Sequence, residues 1–211
     1  MKNIGLYLHI PFCKSKCPYC DFYSFSGKET EKDQYTKALN ERILSSISTL
    51  QRKGDTLYIG GGTPSVLGAE NLKILVGTCK NGFLTDDAEI TVECNPGSDI
   101  ESLIPYLKKA GVNRLSIGAQ SSDAKTLKIL GRTHTPDDTK NAVKTARRNM
   151  ELTQLAVANS IDIDCRTVLN IENCKGNPKM EVLYPLIRTL HIDPWDVFYP
   201  SICLPRKDAA A

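Results

Sequence analysis

The chain counts 211 residues, 41% hydrophobic and 24% charged, with 27 basic against 24 acidic side chains for a formal charge of +3. That length fits one ordinary domain or the front part of a larger protein, and that composition excludes an intrinsically disordered chain. No apolar run approaches the ~20 residues that a helix needs to cross a bilayer, and the two signs of charge are interspersed. Neither a transmembrane segment nor a phosphate-neutralising basic stripe is therefore expected, and nucleic acid is not the expected partner. Met1 is followed by Lys2 and Asn3 rather than by the apolar core of a secretory signal, which points to the cytoplasm. Thiols stay reduced there, so the eight cysteines need an explanation other than disulfides.

In chain order, Ile4 to Ile10 reads as a buried strand that stops at Pro11, and the densest group of cysteines follows directly. Residues 31–50 place Tyr35, Leu39, Ile43, Ile47 and Leu50 at steps of three and four, one apolar stripe on a helix. Asp55 to Ile59 predicts a strand closed by Gly60-Gly61-Gly62-Thr63-Pro64, and Leu72, Leu75, Val76 and Cys79 predict a helix over 69–80. Glu89 to Cys94 is a third strand, followed by a helix near 98–110 with Ser98 as its N-cap. Gly111 ends that helix, Val112 to Ile117 forms a fourth strand, and helices near 122–130 and 136–149 follow. Strands alternating with amphipathic helices mean βα units around a parallel sheet, an α/β fold whose ligands bind at the carboxyl ends of the strands.

Cys13, Cys17 and Cys20 form a C-x3-C-x2-C run in the loop that leaves the first strand, whereas Cys79, Cys94, Cys165, Cys174 and Cys203 are scattered. Cys79 lies in an apolar helical stripe and reads as a small buried hydrophobe. Three soft thiolates on one short loop suit a [4Fe–4S] cluster with one iron left open. Zinc, which favours four ligands, and a purely structural loop are the alternatives on the residues alone.

The spacing resembles that of the radical S-adenosylmethionine family. The segments Tyr7-Leu8-His9-Ile10-Pro11-Phe12-Cys13, Gly60 to Ser65, Glu93-Cys94-Asn95-Pro96, Gly118-Ala119-Gln120-Ser121 and Leu130-Gly131-Arg132-Thr133-His134 resemble, in order, the oxygen-independent coproporphyrinogen III oxidase family. The dehydrogenating enzymes of that family carry a further cysteine two positions after the third, where this chain has Phe22. In that respect it is similar to the heme chaperone branch, the HemW proteins. The resemblance implies a partial (β/α) barrel, a [4Fe–4S] cluster on Cys13, Cys17 and Cys20, and one-electron cleavage of S-adenosylmethionine to a 5′-deoxyadenosyl radical. It implies as partners an electron-donor protein and, for the branch, heme or porphyrin and a heme-accepting protein. Coproporphyrinogen III decarboxylation and an inactive fragment are the competing functions.

By the same resemblance, Tyr7 and Tyr19 flank the cluster and line the cofactor, and Gly61 and Gly62 admit the cofactor's methionine end to the backbone. Thr63 supplies a hydroxyl, and Glu93 faces the sulfonium cofactor, with a structural ion pair as its bland alternative. Gln120 suits ribose hydroxyls, and Arg132 reaches the carboxylate or ribose side, its planar fork being matched to a carboxylate. His9 reads equally well as a packed histidine, and Lys14 and Lys16 as a solvated positive loop.

Family members continue with further βα units and a second domain, which the sequence after residue 149 does not reproduce. His134 and His191 do not form the heme motif of the chaperones, so heme binding by this chain is not expected from them. Ser160-Ile-Asp-Ile-Asp164 begins like a fifth strand, but 165–180 shows neither the glycine loop nor a clean helical stripe. The division expected is a partial barrel core over 1–164, its sheet incomplete after the fourth or fifth strand, and an atypical tail over 165–211. A frameshift near Ile163 or a divergent, poorly packed tail would each produce that pattern.

Overall fold

The computed structural model describes residues 4–173 apart from positions 48, 50, 51, 98, 99 and 161. Its elements are strand β1 (Ile4–Ile10), helix α1 (Glu29–Ile47), strand β2 (Gly54–Gly61), helix α2 (Gly68–Gly82), strand β3 (Leu84–Cys94), helix α3 (Ile100–Ala110) and strand β4 (Arg114–Ile117). Four more helices follow: α4 (Ala124–Ile129), α5 (Pro136–Asn149), α6 (Gln154–Ser160) and α7 (Cys165–Glu172). The strands form one parallel sheet in the order β1-β2-β3-β4, each successive pair bridged by a helix, as parallel strands require. The sheet is open rather than closed into a barrel among the described residues.

Side chains alternate along each strand, so each strand offers one set to either face. Leu8, Ile10, Leu57, Ile59, Ile90 and Val92 are buried against Ile43 of α1, Leu72, Leu75 and Val76 of α2, and Leu103, Ile104 and Leu107 of α3. The opposite face is polar. Tyr7, Tyr58, Thr91 and Arg114 form one row across all four strands in register, with Arg114 paired to Glu89 at 3.2 Å. A parallel sheet covered on both faces reads as a continuous apolar run; these strands alternate because one face carries the site.

Strand β3 starts five residues before the predicted Glu89, since Leu84 and Ala88 enter the core although the charged Asp86 and Asp87 between them obscure the pattern. Helix α5 matches its predicted span and opens with a capping box: Thr135 Oγ1 accepts from the Asp138 amide, and the Asp138 carboxylate accepts from the Thr135 amide.

The expected fifth strand at Ser160–Asp164 is corrected by the structure. Helix α6 occupies 154–160, and 162–164 form a turn and coil with Asp162 at a φ of 53°. Local capping decides this. Asp164 accepts the Arg166 amide at 2.7 Å and starts α7, whose stripe buries Val168 and Glu172, so a helix stands where no stripe was expected. Helices α6 and α7 pack on each other across position 164 through Val157, Ala158 and Val168. Arg147 of α5 ties them in, its Nε donating to Glu172 Oε1 at 2.5 Å. The N-cap expected at Ser98, His191, Cys174, Cys203 and the expected tail beyond residue 173 lie outside the described residues.

Candidate cluster and cofactor site

The loops at the carboxyl ends of the four strands enclose a cleft of about 960 Å³. The loop after β1 brings Cys13, Cys17, Tyr19 and Cys20 to it, and the loop after β2 brings Gly61, Gly62 and Thr63. Glu93 and Asn95 come from the end of β3, Gly118 and Gln120 from the end of β4, and Arg132 from the loop after α4. Residues up to 119 positions apart therefore share one wall, at the rim where α/β sheets bind ligands.

The cysteine loop is held at both ends. The Phe25 amide donates to the Pro11 carbonyl at 2.8 Å and the Cys13 amide to the Phe25 carbonyl at 2.9 Å. Phe12 anchors the loop in the core, edge-on to both Phe25 and Tyr35. All three thiols are partly exposed. Cys13 Sγ lies 3.6 Å from Thr63 Oγ1, and Arg132 Nη1 lies 3.7 Å from Cys17 Sγ. Lys16 donates to the Phe22 carbonyl and, at 3.1 Å, to Ser24 Oγ, which closes the turn beyond Cys20.

The glycine loop zips onto the cysteine loop, the Gly62 amide donating to the Ile10 carbonyl and the Thr63 amide to the Phe12 carbonyl, both at 2.7 Å. A Cβ at Gly62 would stand 2.6 Å from the Phe12 oxygen, so only glycine allows this approach. Gly61 has a φ of 117°, a conformation other residues rarely adopt. Its amide donates to Glu93 Oε2 at 3.0 Å while Tyr58 Oη donates to Oε1 at 2.6 Å. Two donors thus hold the half-buried carboxylate, as a buried charge requires.

Against the cysteine loop, Arg132 Nη2 donates to Asn95 Oδ1 at 2.6 Å and to the Gly118 carbonyl at 2.9 Å. Tyr19 sits beside Arg132 and Cys17, and burial raises its hydroxyl pKa above the ordinary value. Gln120 has a φ of 61°. Two atoms of this wall, Gln120 Oε1 and Arg132 Nε, are buried without a hydrogen-bond partner among the described residues. Unsatisfied buried polar groups are costly, and here they line a cleft that a ligand can fill.

The residues fit the cluster and cofactor by donor chemistry: three thiols on one loop, with the Arg132 guanidinium beside Cys17 and an orphaned Gln120 amide oxygen in the same cleft wall. Among the described residues no three thiols, imidazoles or carboxylates are gathered as a preset metal site. Burial pushes the thiols of Cys79 and Cys94 up to about 12, although Cys94 adjoins the cleft.

Of the residues expected from the sequence to hold the cluster or the cofactor, Tyr7 alone is absent from the cleft wall. It is 55% exposed on the polar face, stacks on Tyr58 and is hydrogen-bonded to His9 Nδ1 at 3.1 Å. It adjoins the site through Tyr58, which bonds Glu93, and through His9, whose ring lies against Gly61. His9 is a bridging residue rather than a packed one, its Nε2 lying 3.0 Å from the Tyr23 carbonyl. Asn95, the partner of Arg132, and Tyr58, the partner of Glu93, were not singled out beforehand. Asn95 follows Glu93 at a strand end and was legible there; Tyr58 looks like any aromatic strand residue until the register is known.

The radical SAM superfamily model matches residues 7–158. The heme chaperone HemW of Escherichia coli is 43% identical over 147 residues, covering 68% of this chain and 39% of that protein. The Bacillus subtilis heme chaperone HemW is 31% identical over 197 residues, covering 92% of this chain and 52% of its own length. The chain thus spans between about a third and half of the length of the curated relatives it matches. Among solved structures, the coproporphyrinogen III oxidase HemN of Escherichia coli, a radical SAM enzyme, superposes with a TM-score of 0.65 at 21% identity, over 89% of this chain and 51% of that one. That likeness shows the fold, a partial radical SAM barrel. Strand-end site, fold and family match agree, and the chain belongs to the radical SAM superfamily, which in general uses S-adenosylmethionine and a [4Fe–4S] cluster.

Proposed function

We propose that this chain is the radical SAM portion of a heme chaperone, binding a [4Fe–4S] cluster through Cys13, Cys17 and Cys20 and S-adenosylmethionine in the cleft beside it. The observation that carries the reading is the convergence of five sequence-distant loops on one cleft, with Gln120 Oε1 and Arg132 Nε buried and unpartnered in its wall. Cluster and cofactor, when bound, supply one-electron chemistry at the sulfonium centre. The protein's part is binding and orientation. Gly61 and Gly62 let a ligand approach the backbone. Glu93, held by Tyr58 and Gly61, offers fixed negative charge toward a cationic ligand. Gln120 and Arg132 offer an amide and a planar cation to hydroxyl and carboxylate groups.

Phe22 favours the chaperone over coproporphyrinogen oxidation. It lines the cleft two positions after Cys20, where the oxidases have a cysteine, and a phenyl ring cannot serve as a thiol. The curated relatives are named heme chaperones as well. On this reading the setting is the cytoplasm, and among the described residues no helix is long and apolar enough to cross a membrane. An electron-donor protein and a heme acceptor complete the proposed partners.

Anaerobic reconstitution of the chain with iron and sulfide tests this. We expect about four irons and four sulfides per chain and saturable S-adenosylmethionine binding. Absence of both from folded protein would refute the reading. Heme binding without coproporphyrinogen turnover would support the chaperone, and turnover would select the oxidase.

A further inference from the structure

We propose that His134 is a positioning residue for the cofactor cleft: through the Ala119 carbonyl it holds Gln120 in the left-handed conformation that brings its amide to the cleft wall. The inference rests on the reading of the cleft as the S-adenosylmethionine site, but it concerns a residue outside the lining of that cleft.

The turn after β4 is unusual in its backbone. The Ala119 amide donates to the Ile117 carbonyl at 2.8 Å, and the Ser121 amide donates to the Ala119 carbonyl at 2.7 Å. Gln120 lies inside the second of these three-residue turns with a φ of 61°. A tight turn with positive φ at its centre is rare and strained for a residue with a side chain, and it persists only where the surroundings over-determine it.

Two side chains of the loop after α4 supply that determination. Arg132 Nη2 donates to the Gly118 carbonyl at 2.9 Å. His134 Nε2 lies 2.9 Å from the next carbonyl, that of Ala119. Because a carbonyl only accepts, Nε2 carries the hydrogen and Nδ1 is bare. His134 is 3% exposed, and its Nδ1 is buried with no partner among the described residues. A plain space-filling role would be served better by an apolar side chain, which leaves no buried nitrogen unsatisfied. What the imidazole adds here is one N–H donor, and that donor is spent on the carbonyl adjoining Gln120. Burial, the largest influence on the ring, lowers its pKa below the ordinary value and keeps it neutral.

The test compares His134→Gln, which keeps an N–H donor, with His134→Met, which has similar length and none. In the isotopically labelled full chain without added ligand, the Cα and Cβ chemical shifts of Gln120 report its backbone conformation. We expect the left-handed signature in the wild type and in His134→Gln, and its loss in His134→Met. The signature surviving in folded His134→Met would overturn the proposal. Should His134→Met not fold, the hydrogen-bond coupling between His134 Nε2 and the Ala119 carbonyl decides in the wild type, its absence being equally fatal. In the reconstituted protein, His134→Met should weaken S-adenosylmethionine binding about tenfold with iron content unchanged, and His134→Gln should restore it. In a Gln120→Gly background, where left-handed backbone needs no support, His134→Met should add less than about twofold. Additive losses would remove His134 from the positioning role. Wild-type protein that binds no S-adenosylmethionine would refute the reading of the cleft, while the Gln120 shifts would still decide the role of His134.

Discussion

The two faces of the sheet answer to different physics. On the helix side, Leu8, Ile10, Leu57, Ile59, Ile90 and Val92 are interchangeable in kind: each contributes apolar area, and their identities matter through volume and packing. On the other side and along its upper rim, Tyr58, Glu93, Arg132 and His134 make directed hydrogen bonds to particular atoms. Consecutive residues of one strand, Tyr58 and Ile59, belong to opposite regimes. Apolar burial is therefore concentrated on one face and the proposed ligand recognition on the other, and substitutions should separate the two.

The largest effect should come from the cysteine loop. Cys13→Ala, Cys17→Ala and Cys20→Ala should each lose the cluster completely, because each removes one of only three protein ligands. Iron counted per chain after anaerobic reconstitution measures this, and circular dichroism should show the fold retained. A folded single variant keeping its iron would break the three-ligand assignment.

Next is the apolar face. Ile59→Ala, at a site 0% exposed, should cost ~2–5 kcal/mol of unfolding free energy in urea. Tyr58→Phe, one residue earlier, should cost ~1.5 kcal/mol, the low end for a hydrogen bond to a charged group, since it deletes one hydroxyl bonded to the half-buried Glu93 carboxylate. Equal losses at the two positions would erase the distinction between the faces.

A smaller effect, on binding alone, is expected at the rim. Glu93→Gln and Arg132→Ala should each weaken S-adenosylmethionine binding by about 10- to 100-fold, the range for losing a charge-assisted hydrogen bond. Iron content should stay at the wild-type level, because the cluster ligands belong to another loop. Titration at equilibrium with unchanged affinity in both variants would detach these residues from the cofactor.

His134 should leave a weaker mark on the pH dependence of folding. Burial, aided by the Arg132 charge and opposed by the Ala119 hydrogen bond and the Asp138 carboxylate, lowers its folded pKa. The unfolded imidazole, with a pKa of about 6.5, therefore takes up its proton first as the pH falls. Stability should be flat with respect to this group above that pH and decline below it until the folded imidazole also protonates. His134→Gln should remove that part of the slope in melting curves taken at successive pH values. The smallest response belongs to the buried thiols. With pKa values of about 12, Cys79 and Cys94 should resist iodoacetamide at pH 8 in the native chain while Cys13, Cys17 and Cys20 react.

Much of this was legible in the residues themselves. The period-two runs of Ile4–Ile10 and Leu57–Ile59 and the helical stripe of Leu72, Leu75, Val76 and Cys79 carry their structure locally, because burial of one face is what orders them. The cluster loop was legible because three soft ligands at short spacing have few other uses. The region 150–172 was misread where Ile161 and Ile163 alternate like a strand. Two apolar residues are too few to outweigh the Asp164 cap and the α7 stripe that follows it. The motif of Tyr7 places it in the cofactor wall, and only the structure shows it on the polar face beside Tyr58 and His9.

By itself the sequence determined the alternation of strands and helices, the clustering of three thiols on one short loop and the rim at which the proposed site lies. These follow from side-chain chemistry at fixed short spacing and from the carboxyl-end rule of parallel sheets. Only the tertiary structure decided that Asn95 anchors Arg132, that Tyr58 braces Glu93, and that the carbonyls of Gly118 and Ala119 are gripped by Arg132 and His134. Those contacts join residues 14 to 37 positions apart, and their geometry is set by strand register and by the direction in which each loop leaves the sheet, neither of which a local pattern encodes.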